Sequence, residues 1–325
     1  MTSIFWRDDT NVLTLLPARG RVLQAQVRGH NAFWTPPQTS DDWNVGGDRL
    51  WVAPELCWFW KTRESVDFEQ YQIPNALDPG SWSLVRDEEG FCEMKQSIAL
   101  RHQHDQCEFS FEMARRVRRV LLRNPPFANC LSYHSEDELI MPATPGENAG
   151  QSIGLWSLLQ VPPGGVMSVG LRRGAPMRDY FSPIPGSMWE QDENALHLRI
   201  SGAQRYKIGL SPAEVTGRAC YARPLGDEAV DEQLFVLREF WPQPWLGYCD
   251  VPMSQPLSQG DAIQVYNDDG SAGGFGEMEV HSPAANFGPG SRRIVSSHLT
   301  VVGVAARSEW MPWRWNWLAG QSAIC

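Results

Sequence analysis

The stretch VYNDDGSAGGFGEMEVHSPA, residues 265–284, decides the reading of the whole chain. Its second half, FGEMEVH (275–281), alternates with period two, the repeat of a β-strand in which residues two apart share a face. Phe275, Glu277, Glu279 and His281 then point one way, and Gly276, Met278 and Val280 point the other. The second set is apolar and suits a core. The first sets two carboxyl groups and an imidazole in a row, about 7 Å apart from one to the next. An unpaired buried ion costs several kcal/mol, so this face is expected to look onto an open polar cleft. The alternative is an ordinary amphipathic strand whose acids simply face water. YNDDG (266–270) and AGG (272–274) lead into the strand through what reads as a tight, glycine-rich loop.

Working outward, the same alternation recurs from end to end, and no long amphipathic helix is evident. NVLTLLP (11–17) and RVLQAQVRG (21–29) read as early strands. Residues 81–100 read as a hairpin turned at Asp87–Gly90, and CEFSFEMARRVRRV (107–120) continues the pattern. Residues 195–210 read as two strands around Ser201–Gln204, followed by strands over 217–224, 232–241 and 298–306. The Pro/Gly-rich stretches 140–151, 161–165 and 174–187 read as long inter-strand loops, none of them polar enough for a domain linker. The expected fold class is therefore all-β: one large antiparallel β-sandwich, a single domain over residues 1–325.

Composition narrows the function classes. Hydrophobic residues at 42% and charged residues at 20% are those of a globular protein rather than a disordered one. A formal charge of −10 argues against a nucleic-acid binder, which needs excess cations to displace counterions. The one basic run, ARRVRRVLLR (114–123), follows Glu108 and Glu112 and reads as a solvated strand or hairpin rather than a phosphate groove. The first residues lack the apolar run of a signal peptide, and no window of about 20 apolar residues spans a membrane. Seven scattered cysteines, odd in number and without a CxxC pair, suit the reduced thiols of a cytoplasmic protein. Fifteen tryptophans are the unusual feature, clustered at 51, 58 and 60, at 241 and 245, and at 310, 313, 315 and 317. Each alone reads as core filling; the excess together points to a cleft where indoles stack on sugar rings.

The run VYNDDGSAGGFGEMEVHSPAANFGPG (265–290), with GGDRLWVAPE (46–55), WSLLQVPPGGV (156–166) and RYKIGL (205–210), resembles uncharacterised families of the galactose mutarotase-like superfamily. The matching pieces span roughly residues 44–305 and are specific as a set rather than singly. The resemblance implies a supersandwich of antiparallel sheets with a sugar-binding concave face. In aldose epimerases a late-strand glutamate takes the anomeric hydroxyl proton while an acid, usually histidine, protonates the ring oxygen. The resemblance puts Glu279, four residues before Pro283, at the place of that base, with Glu277 as the fallback. The chain departs from true epimerases in having no segment that matches either of their histidine motifs, and SIGLWSLLQVPPGGV (152–166) holds no histidine. His281 is the candidate acid on the same strand, with orienting Glu279 or standing at the surface as its other readings.

In GGDRLWVAPEL (46–56), Gly46 and Gly47 permit positive φ or close backbone approach. Arg49 is a planar group with several donors, suited to hydroxyls or a carboxylate. Related hexose-phosphate epimerases have a Gly-Gly segment at a similar place in the sugar site, which implies a substrate-binding role for Arg49 and Glu55; Trp51, of the first tryptophan cluster, joins the candidate set. An Arg49–Glu55 pair bracing a loop is the equal alternative. Lys207, Arg238, Asn267 and Asp269 complete the candidate substrate-binding set. His102 and His104 share a strand face but find no third metal ligand, so they read as structural. Asp268–Asp269 leaves a calcium site open, and no cofactor is expected. The expected partner is a carbohydrate small molecule, with neither nucleic acid nor membrane. Three functions compete: an aldose 1-epimerase-like isomerase, a non-catalytic carbohydrate-binding or sensing protein, and, last, a glycoside hydrolase or lyase. Same-face neighbours such as Glu277 and Glu279 rarely straddle a scissile bond.

Overall fold

A computed structural model describes residues 2–37, 43–123, 125–143, 150–172, 176–226 and 231–323. Two large antiparallel sheets form the molecule. From edge to edge the first runs Ile4–Arg7, Asn11–Leu16, Arg21–Val27, Asp48–Ala53, Ser152–Val161, Gly276–His281, Ile263–Asn267, Tyr206–Leu210 and Arg178–Asp179. The second runs Trp189–Gln191, Ala195–Ile200, Gly165–Leu171, Val215–Pro224, Glu232–Phe240, Arg292–Ala306, Asn129–Met141, Glu108–Arg119, Phe91–Arg101 and Ser83–Glu88. The expected all-β sandwich is the observed architecture.

The alternation read in FGEMEVH orients the first sheet. Met278 and Val280 turn inward and join a core shared by both sheets, with Leu155, Leu159, Ile263 and Val265 beside them and Val169, Val236 and Val302 across. Burying a side chain of this size stabilises the fold by about 1.5–3 kcal/mol, so the inward face fixes the outward one. Gly276 also points inward, where a Cβ would lie 2.6 Å from Ile200 of the opposite sheet. Its missing side chain lets the two layers close at that point. Gly46 and Gly47 take φ of +87° and +80°, and a Cβ on either would strike the carbonyl of Trp34 or Val22. Positive φ and close approach both hold there.

Between the sheets lies a fully buried ionic group that the alternation does not announce. Asp48 accepts from Arg115 at 2.9 Å, from the Tyr133 hydroxyl at 2.8 Å, from Ser157 at 3.2 Å and from Arg238. Arg115 also pairs with Asp137 at 3.2 Å. The two guanidiniums hold the Asp48 carboxyl below its ordinary value against burial, while burial pushes Asp137 up to about 6. The basic run is thus only partly solvated: Arg115 is buried here, and Arg116 is bound to Glu93, Glu136 and Glu138 at the flank.

Three further expectations change. The strands on either side of Ser201–Gln204 belong to different sheets, so the segment turns a corner. Residues 161–165 make a short crossing between sheets rather than a long loop, and the stretches 140–151 and 174–187 lie partly outside the described residues. The tryptophan cluster at 310–317 belongs to a helix, Arg307–Leu318, where no long helix was expected. Trp310 and Trp317, two turns apart, are buried with Phe235, Leu237 and Val301 on the outer side of the second sheet, and Trp310 stacks on Phe235 at 4.6 Å.

Candidate functional site

The outward face of the first sheet holds a cavity of about 400 Å³. Its floor is the set of side chains that alternation turns away from the core. Arg49 and Trp51 come from Asp48–Ala53, Trp156 and Leu158 from Ser152–Val161, and Glu277 and Glu279 from Gly276–His281. Register brings them together, since Leu158 pairs with both Arg49 and Glu279, and Trp156 with both Trp51 and His281. Lys207 enters from Tyr206–Leu210, two strands beyond Glu277. Glu55 opens the single-turn helix Glu55–Trp58, where its amide donates to Asp250. Tyr71, Phe181 and Phe275 wall the cavity, and the exposed Phe68 and Ser271 stand at its rim.

Charge is concentrated on this floor. The Lys207 ammonium donates to Glu55 at 2.9 Å and lies 3.0 Å from Glu279, 4.5 Å over the Trp156 ring. The Trp156 indole N–H donates to Glu279 Oε2 at 2.9 Å. Both partners of Glu279 thus meet the same oxygen, and Oε1 has none among the described residues. Arg49 donates to Glu277 at 2.7 Å, its guanidinium 4.1 Å over Trp51 and 5.2 Å over Trp43. Burial pushes the Glu279 carboxyl up to about 8; Lys207 opposes this, while Glu277 and Glu55 add to it. Burial likewise raises Glu55 and Glu277, against Lys207 and Arg49. Glu55, Glu277 and Glu279 crowd together on the floor, and Glu279 is the one raised far enough to hold a proton near neutral pH. Lys207, beside two carboxylates, is raised and stays charged.

The cavity therefore gathers Glu277, Glu279, Arg49, Trp51, Glu55 and Lys207 from the residues singled out in the sequence. The Arg49–Glu55 brace is not formed; Arg49 holds Glu277 and Glu55 holds Lys207. His281 shares the outward face but is covered: its ring stacks on Trp156 at 5.5 Å and neither ring nitrogen has a partner among the described residues. Burial, with Lys207 nearby, keeps that imidazole well below its usual range and neutral. Arg238 lies between the sheets on Asp48. Asn267 points inward and ties down the corner at Ser201 and Gly202 at 3.0 and 3.1 Å. Asp269 is exposed and holds Arg205 at 2.8 Å.

The acidic loop before the strand is shaped by Asp268, whose Oδ2 accepts from the amides of Gly270, Ala272 and Gly274 at 2.8–3.1 Å. His104 is bound to the Leu56 carbonyl at 2.9 Å and His102 packs on Trp58. Among the described residues no three His, Cys, Asp or Glu side chains are grouped to hold a metal ion. No helix among them is long and apolar enough to cross a membrane. Trp156 and Tyr71 escaped notice as site residues. Trp156 sits in a strand buried on both faces, where alternation gives no sign of which residues face the cavity, and Tyr71 sits in an irregular stretch.

Fold and site define an antiparallel sandwich with an acid- and indole-lined cavity on the outer face of one sheet. The chain belongs to a family of unknown function (DUF6786), whose pattern matches residues 31–302. No curated protein is similar in sequence. Similar solved structures include a galactose mutarotase-like protein from Lactobacillus casei, at 10% identity over 94% of this chain and 100% of that one, with a TM-score of 0.49. Galactose 1-epimerase from Lactobacillus acidophilus is similar at 8% identity over 94% of each chain, TM-score 0.44. An aldose epimerase homologue from C. elegans follows at 9% identity over 94% of this chain and 99% of that one, TM-score 0.40. Identities of 10% or less and TM-scores below 0.5 leave the chemistry of the cavity to be argued from its own residues.

Proposed function

We propose that the chain is a single saccharide-binding domain in which Glu279 exchanges a proton with the sugar's anomeric hydroxyl. The observation that carries the reading is the juxtaposition of Trp43, Trp51 and Trp156 with the hydrogen-bonded run Glu55–Lys207–Glu279. Indole faces suit the C–H side of a pyranose, and fixed carboxylates suit its hydroxyls. Glu279 has the position for proton transfer: Oε2 is held by Trp156 and Lys207, and Oε1 remains for a ligand. A carboxyl near pKa 8 works close to neutral pH, where giving and taking a proton are both feasible. The resemblance of the late strand to that of aldose epimerases points the same way.

Binding without turnover is the second reading, favoured by one observation. No histidine is among the described residues lining the cavity, and His281 is covered by Trp156. NMR saturation transfer or polarimetry over a panel of reducing sugars separates the two readings. Turnover predicts faster α/β interconversion for the wild type and a loss of at least about 100-fold in Glu279→Gln. A sugar that binds with no acceleration by the wild type removes the catalytic step and leaves the binding site.

A further inference from the structure

Among the described residues Arg49, Arg205 and Lys207 are the cations lining the cavity, and each already has an acidic partner. Lys207 is covered by two carboxyl groups and by the rings of Trp156 and Tyr180, which leaves its ammonium no face for an incoming anion. Arg205, at the rim, is held by Asp269 at 2.8 Å and by the Ser271 hydroxyl, with its guanidinium 3.9 Å over Phe68. Arg49 is the decisive case. Its Nη2 is on Glu277, and its Nε and Nη1 are buried without a partner among the described residues, under the indoles of Trp43 and Trp51. A guanidinium is otherwise the natural fork for a phosphate or carboxylate. Here Glu277 takes Nη2 as its counter-charge, and the indoles of Trp43 and Trp51 lie against the guanidinium.

We propose that Glu277 is a specificity-determining residue: by occupying Arg49 it restricts the cavity to uncharged saccharides and turns away sugar phosphates and uronates. The inference rests on the saccharide-binding reading and deepens it. An anionic group placed beside the Glu277 carboxylate meets a like charge in a poorly screened space and finds Arg49 already neutralised. An uncharged sugar brings only hydroxyls, which donate to those same carboxylates.

The test is titration calorimetry on the wild type and on Glu277→Gln. The panel holds neutral mono- and disaccharides, the 6-phosphates of the monosaccharides and the corresponding uronic acids. The wild type is expected to bind a neutral member and to bind its phosphate and uronate at least roughly 100-fold more weakly. E277Q, which leaves Arg49 without its counter-charge, is expected to narrow that gap by at least about 10-fold. The double variant with Arg49→Gln is expected to restore the gap. Anionic sugars that bind the wild type as tightly as neutral ones overturn the specificity and leave saccharide binding intact, as does a gap that E277Q does not move. Failure of every member, neutral or charged, removes both readings. The wild-type comparison stands even where a variant does not fold.

Discussion

Replacing Glu279 by glutamine tests the charge arrangement of the cavity floor before any ligand is known. The side chain keeps its shape and loses its ionisation. Burial lifts Glu279 from an ordinary 4.5 to about 8 in the folded protein. Folded protein therefore binds more protons than unfolded protein between those values, and stability falls as pH rises through the window. The contribution is fully present below pH 4.5 and gone above pH 8. At about 1.4 kcal/mol per pH unit the whole span is at most about 5 kcal/mol. Glu55 and Glu277 share the titration and spread it, so a gap of at least about 2 kcal/mol between pH 5 and pH 9 is the expected size. Glu279→Gln lacks the loss: nearly equal to wild type at pH 5, it becomes the more stable protein as pH rises. Urea unfolding followed by tryptophan fluorescence reads this as a midpoint difference growing to roughly half a molar. A difference independent of pH would refute the argument. A difference of opposite sign would mean that Lys207, 3.0 Å away, outweighs burial and holds Glu279 ionised.

Two other substitutions test the frame beneath the site. Asp48→Asn removes the charge shared by Arg115 and Arg238 and leaves two buried guanidiniums with Asp137 alone; a loss of about 3–5 kcal/mol is expected in urea or thermal unfolding, and a loss under 1 kcal/mol would deny the cluster its role. Trp310→Ala empties the place between the helix Arg307–Leu318 and the second sheet at an expected cost of about 3–5 kcal/mol, with faster amide exchange confined to that helix; unchanged exchange there would mean that the helix is held by something else.

The strands were legible because their inward residues are apolar and their outward ones polar over five or more positions. Phe109–Met113 with its flanking Glu108, and Gly276–His281, show this. The last helix was not, for its buried residues are only Trp310, Trp317 and Leu318, with Trp313 partly buried, separated by residues such as Arg314 and Asn316 and interrupted by Pro312. Neither was the ionic group between the sheets. Asp48, Arg115, Asp137 and Arg238 come from four strands, and in each local pattern an inward charge reads as a surface residue. Arg49, Trp51, Glu277 and Glu279 of the cavity were visible in GGDRLW and in the late strand. Lys207 was only a weak candidate because its partner Glu55 lies 152 residues away, and sheet order alone makes them neighbours.

The two polar groups, one inside the sandwich and one on its face, are joined by alternation. Asp48 points inward and its neighbour Arg49 outward; Ser157 points inward between Trp156 and Leu158 of the floor. The four donors on Asp48 therefore fix the backbone that aims Arg49, Trp51 and Trp156. With that backbone held, and with Glu277, Glu279 and Lys207 all buried, the floor charges cannot swing out to water to relieve one another. The balance must be struck within the cavity, by a proton on one carboxyl group or by hydroxyl donors brought by a ligand. A polyol meets that need without adding a charge, so the raised Glu279 and the proposed preference for an uncharged sugar follow from the same buried floor.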